Sequence, residues 1–84
     1  MTLPDPFDLV ASALECDVAT LSVHSGLNQH PHWDSLGHLS VMMGLETHYG
    51  VVIADESIRR FERMANIIDL HQTLVRGAGR VTNG

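Results

Sequence analysis

The chain has no lysine, one cysteine, four aromatic residues and no long apolar run. Each shortage excludes something. A lone Cys16 cannot form an internal disulfide, so a core must hold the fold without covalent staples. It reads as a small, partly buried residue at a helix end. No stretch approaches the roughly 20 apolar residues of a membrane helix. The N-terminus also lacks the basic-then-apolar pattern of a secretory signal. A cytoplasmic protein without a membrane partner is the expectation. With so few aromatics, the core must be mainly aliphatic.

Basic residues are missing over most of the length. All five cations are arginines, at positions 59, 60, 63, 76 and 80, so residues 1–58 sum to −8 and residues 59–84 to +3. An acidic body excludes a nucleic-acid backbone as partner, because that partner needs a basic surface. It suits the basic patch of another protein, where charge speeds encounter more than it adds affinity.

The 84 residues, 44% of them apolar, suit one small domain spanning residues 1–84. Asp5 before Pro6 marks an N-cap and first helical position. Phe7, Val10, Ala11 and Leu14 then follow at helical spacing, predicting a first helix over about 6–15. Residues 16–33 have no sustained period and read as a long loop, with Val18, Leu21, Val23 and Leu27 as apolar anchors. Loops of this length in compact domains are often functional. Val41, Leu45 and Tyr49 place a second helix over about 35–49, stopped by Gly50. Gly37 and Gly44 lower its helix propensity, so packing must support it. Val51-Val52-Ile53 has no partner run and reads as an extended loop. Asp55 can cap a short helix over about 56–61, with Ile58 and Phe61 turned inward. Met64, Ile67, Ile68, His71, Leu74 and Val75 predict a last helix over about 63–76. The glycine-rich residues 77–84 read as a flexible tail beyond a folded core of 5–76. The expected fold is all-α: a small four-helix bundle of three main helices and one short one, with the long loop between the first two.

Asp34-Ser35-Leu36 falls at the start of the second helix. Four backbone N–H groups are free there and the helix dipole is positive, so a phosphate on the serine oxygen is well placed. Three longer segments surround this tripeptide in order: Trp33-Asp-Ser-Leu-Gly-His-Leu, then Gly44-Leu-Glu-Thr-His-Tyr-Gly-Val-Val-Ile-Ala-Asp-Glu, then Ile67-Ile-Asp-Leu. Together they resemble the acyl carrier proteins, the phosphopantetheine-binding four-helix family, over about residues 5–75. The resemblance implies that Ser35 carries a 4′-phosphopantetheine arm. Asp34 and Leu36 match the flanks read by the phosphopantetheinyl transferase, which takes the arm from coenzyme A. The resemblance further implies that the protein is no enzyme. It would be a monomeric carrier of an acyl or aminoacyl thioester. An acyl- or aminoacyl-loading ligase or an acyltransferase would charge it, and a downstream synthase or transferase would unload it.

The chain departs from that family in several places. Gly37, Ser40, Thr47 and His48 stand where fatty-acid carriers often have acids on the second helix. Only Asp34 and Glu46 remain. The departures resemble discrete carriers of specialised polyketide, nonribosomal peptide or aminoacyl-carrier pathways. Alternatives are a fatty-acid-synthesis carrier, or a helical protein-interaction module without an arm. His32-Trp33 replaces the Gly-Ala frequent before Asp-Ser-Leu. Trp33 either offers an apolar surface near the arm or covers the loop as core. Arg63 replaces a Ser or Thr that often caps the last helix, implying a poorly capped start.

Leu36, Leu39, Met42 and Met43 make the second helix apolar on more than one side. Met42 is assigned to the core. Leu36, Leu39 and Met43, with Trp33 and with Glu46 at the rim, are the expected partner-docking residues. Two rival readings are weaker. Ser35 beside His38 suggests a serine nucleophile with a base, but the chain shows neither a strand-turn-helix elbow nor an evident third group. His30, His32, Asp34 and His38 suggest zinc, but their spacing matches no closed zinc site and surface histidines are expected. His24, His48 and His71 are dispersed. No metal site is expected.

Overall fold

A computed structural model describes residues 3–81 of the chain. They form four α-helices: α1 (Pro6–Leu14), α2 (Ser35–Tyr49), α3 (Asp55–Arg60) and α4 (Met64–Val81). One turn of 3-10 helix, Val18–Thr20, interrupts the long loop. An isolated bridge between Gly26 and Arg63 is the one β-type pairing among the described residues. The architecture is an all-α small bundle. Met1 and Thr2 of the expected lead-in, and residues 82–84 of the expected tail, lie outside the described residues.

Local chemistry sets each helix start. At α1, the Asp5 carboxylate accepts from Phe7 N at 2.8 Å while Pro6 supplies a helix-ready φ. α1 stops at Glu15, which takes the left-handed conformation (φ 54) that glycine more often supplies. At α2, Asp34 is the N-cap, accepting from Gly37 N at 2.8 Å, and Gly50 (φ 72) ends the helix. α3 differs from expectation. Ala54, not Asp55, occupies its N-cap position, and the Ser57 hydroxyl accepts from Ala54 N at 2.9 Å. Asp55 and Glu56 instead lie in the first turn, where the dipole favours their charge.

The start of α4 has no side-chain cap from Arg63 among the described residues, as expected, but the long loop supplies one backbone acceptor: Met64 N donates to Ser25 O at 2.9 Å. Leu27 N donates in return to Glu62 O at 2.8 Å, so the loop is stitched to the α4 entrance on both sides of Gly26. At its other end α4 continues past the expected stop at 76 and through Gly77 to Val81, so that part of the expected tail is helical.

Leu9, Val10, Ala11 and Leu14 of α1 pack with Val41, Met42, Leu45 and Tyr49 of α2. Phe61 and α4 residues Met64 and Ile67 complete the buried cluster, with Leu21 and Trp33 from the loop. Each large aliphatic side chain fully buried this way contributes about 1.5–3 kcal/mol against exposure. Of the expected loop anchors, Leu21 is buried and Leu27 half-buried, but Val18 and Val23 are exposed. Tyr49 closes the far end of α2. Its hydroxyl donates to Pro4 O at 2.7 Å, and its ring lies 5.8 Å from that of His71. Burial, helped by the nearby Asp5 charge, pushes the Tyr49 hydroxyl up to about 12. Among the described residues no helix is long and apolar enough to cross a membrane.

Candidate functional site

Ser35 is the first residue of α2 and is exposed. Its hydroxyl takes part in none of the side-chain hydrogen bonds found among the described residues. Asp34 beside it is committed to its cap, holding Gly37 N by the carboxylate and His38 N by the carbonyl (2.8 Å each). The serine oxygen is therefore presented to solvent from a fixed helix start.

Gly37 explains how the loop can approach so closely. A Cβ at this position would collide with the His32 carbonyl oxygen and press on Leu14 Cδ2 at 2.9 Å. Only a residue without a side chain lets the backbone of the incoming loop lie against the first turn of α2. The cost in helix propensity is thus offset by a contact that aims Asp34 and Ser35.

Below Ser35, the apolar surface of α2 divides as expected. Met42 is enclosed in the core, while Leu36, Leu39 and Met43 are 75%, 51% and 56% exposed. Spaced i, i+3, i+7, they share one face of the helix. Glu46 lies one turn further on and is exposed too. Val52 in the next loop is another exposed apolar residue.

Trp33 does not belong to this surface. It is 0% exposed and packs in the core, so the expectation of a docking role is corrected. Its backbone is pinned as well: Trp33 N donates to His30 O at 3.0 Å, and Asn28 N donates to Trp33 O at 2.7 Å. The tryptophan covers the loop from within.

The partner of Trp33 is the residue that sequence reasoning placed wrongly. His38 is 4% exposed, not a surface histidine. Trp33 Nε1 donates to His38 Nδ1 at 3.0 Å, and His38 Nε2 lies 2.7 Å from Ile58 O. Indole N–H can only donate and a carbonyl can only accept. Both bonds are satisfied together by one form of the ring, the neutral imidazole with its proton on Nε2. His38 thereby joins the loop before α2 to the middle of α3. The sequence signal for this was slight: a histidine one turn into α2, five residues after the single tryptophan.

This geometry bears on the rival chemistries. Both His38 nitrogens are engaged elsewhere, so His38 is not directed at Ser35 as a base. Among the described residues, no three His, Cys, Asp or Glu side chains converge to hold a metal ion. His30 is occupied too, since its Nδ1 accepts from His32 N at 3.0 Å and its Nε2 lies 2.9 Å from Thr20 Oγ1. That hydroxyl donates to Asp17 O at 2.6 Å, so His30 Nε2 is the donor to it. What the α2 entrance can offer is an accessible hydroxyl on a positive helix end, beside an apolar strip.

No protein-family model matches the chain, no curated protein matches it in sequence, and no solved structure matches it.

Proposed function

We propose that this protein is a discrete carrier that holds an acyl or aminoacyl group as a thioester on a 4′-phosphopantetheine arm attached to Ser35. The observation that supports this reading best is the placement of Ser35. It is an exposed, unengaged hydroxyl at the first position of α2, fixed by the Asp34 cap and followed by the exposed Leu36. The segments that resemble acyl carrier proteins in sequence also support the reading by their places in the fold. Asp-Ser-Leu opens α2, Leu-Glu-Thr-His-Tyr-Gly closes it, and the Ile-Asp pair lies on α4.

In the loading step, Ser35 Oγ attacks the pantetheine-side phosphorus of coenzyme A. A phosphodiester forms at Ser35, the pyrophosphate bond breaks, and adenosine 3′,5′-bisphosphate leaves. The serine proton passes to a base of the phosphopantetheinyl transferase, because both nitrogens of the nearby His38 are bonded elsewhere. The positive end of α2 favours the phosphate thus installed. The arm's terminal thiol supplies the thioester chemistry, and tethering raises the effective concentration of the cargo for each partner in turn. Leu36, Leu39, Met43 and Glu46 form the docking strip for the transferase, the loading ligase or acyltransferase, and the downstream synthase or transferase. With few acids left on α2, the strip suits partners of a specialised polyketide, nonribosomal peptide or aminoacyl-carrier pathway. The carrier catalyses nothing itself and works as a cytoplasmic monomer.

Intact mass after incubation with coenzyme A and a promiscuous phosphopantetheinyl transferase tests this reading. One arm is gained by the native chain and none by Ser35→Ala. Absence of any gain across several transferases refutes it and leaves a helical interaction module.

A further inference from the structure

α3 is weakly tied to the body of the molecule. It has six residues and none is fully buried; Ile58 alone of them packs against the core, and the helix ends at the buried Phe61. Its ion pair, Arg60 with Glu56 at 3.1 Å, lies within the helix and is exposed, so it contributes little. The bonds of Ser57 to Ala54 N and Val52 O are local to the segment. Among the described residues, two side-chain hydrogen bonds join α3 to another helix. One is exposed, from Asn66 Nδ2 to Arg60 O at 2.7 Å. The other comes from the buried ring of His38 to Ile58 O, and it reaches the middle of α3.

That second bond depends on the proton's place on the ring. The Trp33 N–H occupies Nδ1 and leaves Nε2 as the donor. Trp33 in turn cannot turn away, because the core encloses it and its backbone is bonded on both sides. The loop before α2 therefore fixes the direction in which His38 donates.

We propose that α3 is a latched flap: it opens on its own, short of global unfolding, and His38, held in its Nε2–H form by Trp33, is the latch. The proposal does not rest on what Ser35 carries. A short element with little buried apolar surface sits at the low end of local stability, where single contacts govern opening.

Amide hydrogen exchange on the full chain tests it, through two substitutions that divide the roles of the ring. In His38→Gln the side-chain nitrogen reaches the position of Nε2 and can donate to Ile58 O. In His38→Asn the side-chain oxygen reaches the position of Nδ1 and can accept from Trp33, but the chain is too short for Ile58. The expected result is that α3 amides from Ile58 to Arg60 exchange about tenfold faster in His38→Asn, relative to α1 amides, and near the native rate in His38→Gln. Equal acceleration of α1 and α3, or equal behaviour of the two variants, overturns the latch. The native protein gives a second reading that needs no variant. In low urea, α3 amides should open with a smaller urea dependence than α1 and α2 amides. If all three helices exchange along one common dependence, there is no flap.

Discussion

The indole nitrogen of Trp33 lies 3.0 Å from Nδ1 of His38, and both side chains are enclosed. Two polar groups, five residues apart, thus satisfy each other across the entrance of α2. Trp33→Phe keeps an aromatic filler but leaves the Nδ1 acceptor unpaired and part of the indole volume empty. The expected loss is about 1–3 kcal/mol, against about 3–5 kcal/mol for Trp33→Ala. Urea denaturation followed by far-UV circular dichroism measures both. Equal stability of Trp33→Phe and the native chain would show that the bond carries no net weight.

Glycines of two helices should respond in opposite senses to alanine. At Gly37 a Cβ meets the His32 carbonyl, a backbone atom that cannot yield cheaply. Gly37→Ala is expected to lose at least 1 kcal/mol despite alanine's better helix propensity. At Gly77 a Cβ meets nothing within 4 Å, and the residue lies inside α4. Gly77→Ala should gain up to about 1 kcal/mol. Thermal unfolding midpoints of the pair give the signs directly.

The Tyr49 hydroxyl predicts an alkaline loss of stability. Its pKa in the folded chain is raised from 10.0 to about 12, so the folded state holds this proton more tightly than the unfolded state. The contribution is fully present below pH 10 and is lost as pH rises from 10 to 12. With partial solvent screening it amounts to roughly 1–2 kcal/mol. Because the chain has no lysine and one tyrosine, few other groups titrate in that window. Denaturation midpoints between pH 9 and 12 should fall for the native chain and stay flatter for Tyr49→Phe.

On the exposed strip of α2, a charge should leave the fold intact and impair partners. Leu39→Asp and Met43→Asp replace side chains that are more than half exposed, so stability should change by about 0.5 kcal/mol or less. If the strip is the docking surface, the rate of arm transfer to Ser35 falls about tenfold or more, as for the loss of one central contact. Unchanged transfer kinetics in both variants would remove Leu39 and Met43 from the interface.

The helices were largely legible because their signals are local. Asp5-Pro6 marked the start of α1, and Gly50 closed α2 at the expected residue. The exposed placement of Leu36, Leu39 and Met43 followed from a simple limit: one helix in a small bundle cannot bury every side. The illegible parts depend on groups far apart in sequence. His38 looked like a surface residue because its acceptor, Ile58 O, lies 20 residues away on another helix. Arg63 offers no side-chain cap, as its sequence suggests, but the Ser25 carbonyl that receives Met64 N could not be foreseen from 39 positions away. In the sequence Gly37 shows only a cost of propensity; its benefit exists only once the loop folds back. Gly77 and Gly79 suggested a break, yet α4 runs through both.

The enclosure of Trp33 makes the molecule its own optical gauge. It holds one indole, shut away from water and hydrogen-bonded to an imidazole, two residues from the candidate attachment point. Emission from that ring reports on the joint between loop, α2 and α3, while chemistry at Ser35 takes place outside its shell. Opening of the joint and loading of the serine can therefore be followed as separate signals on one unlabelled chain.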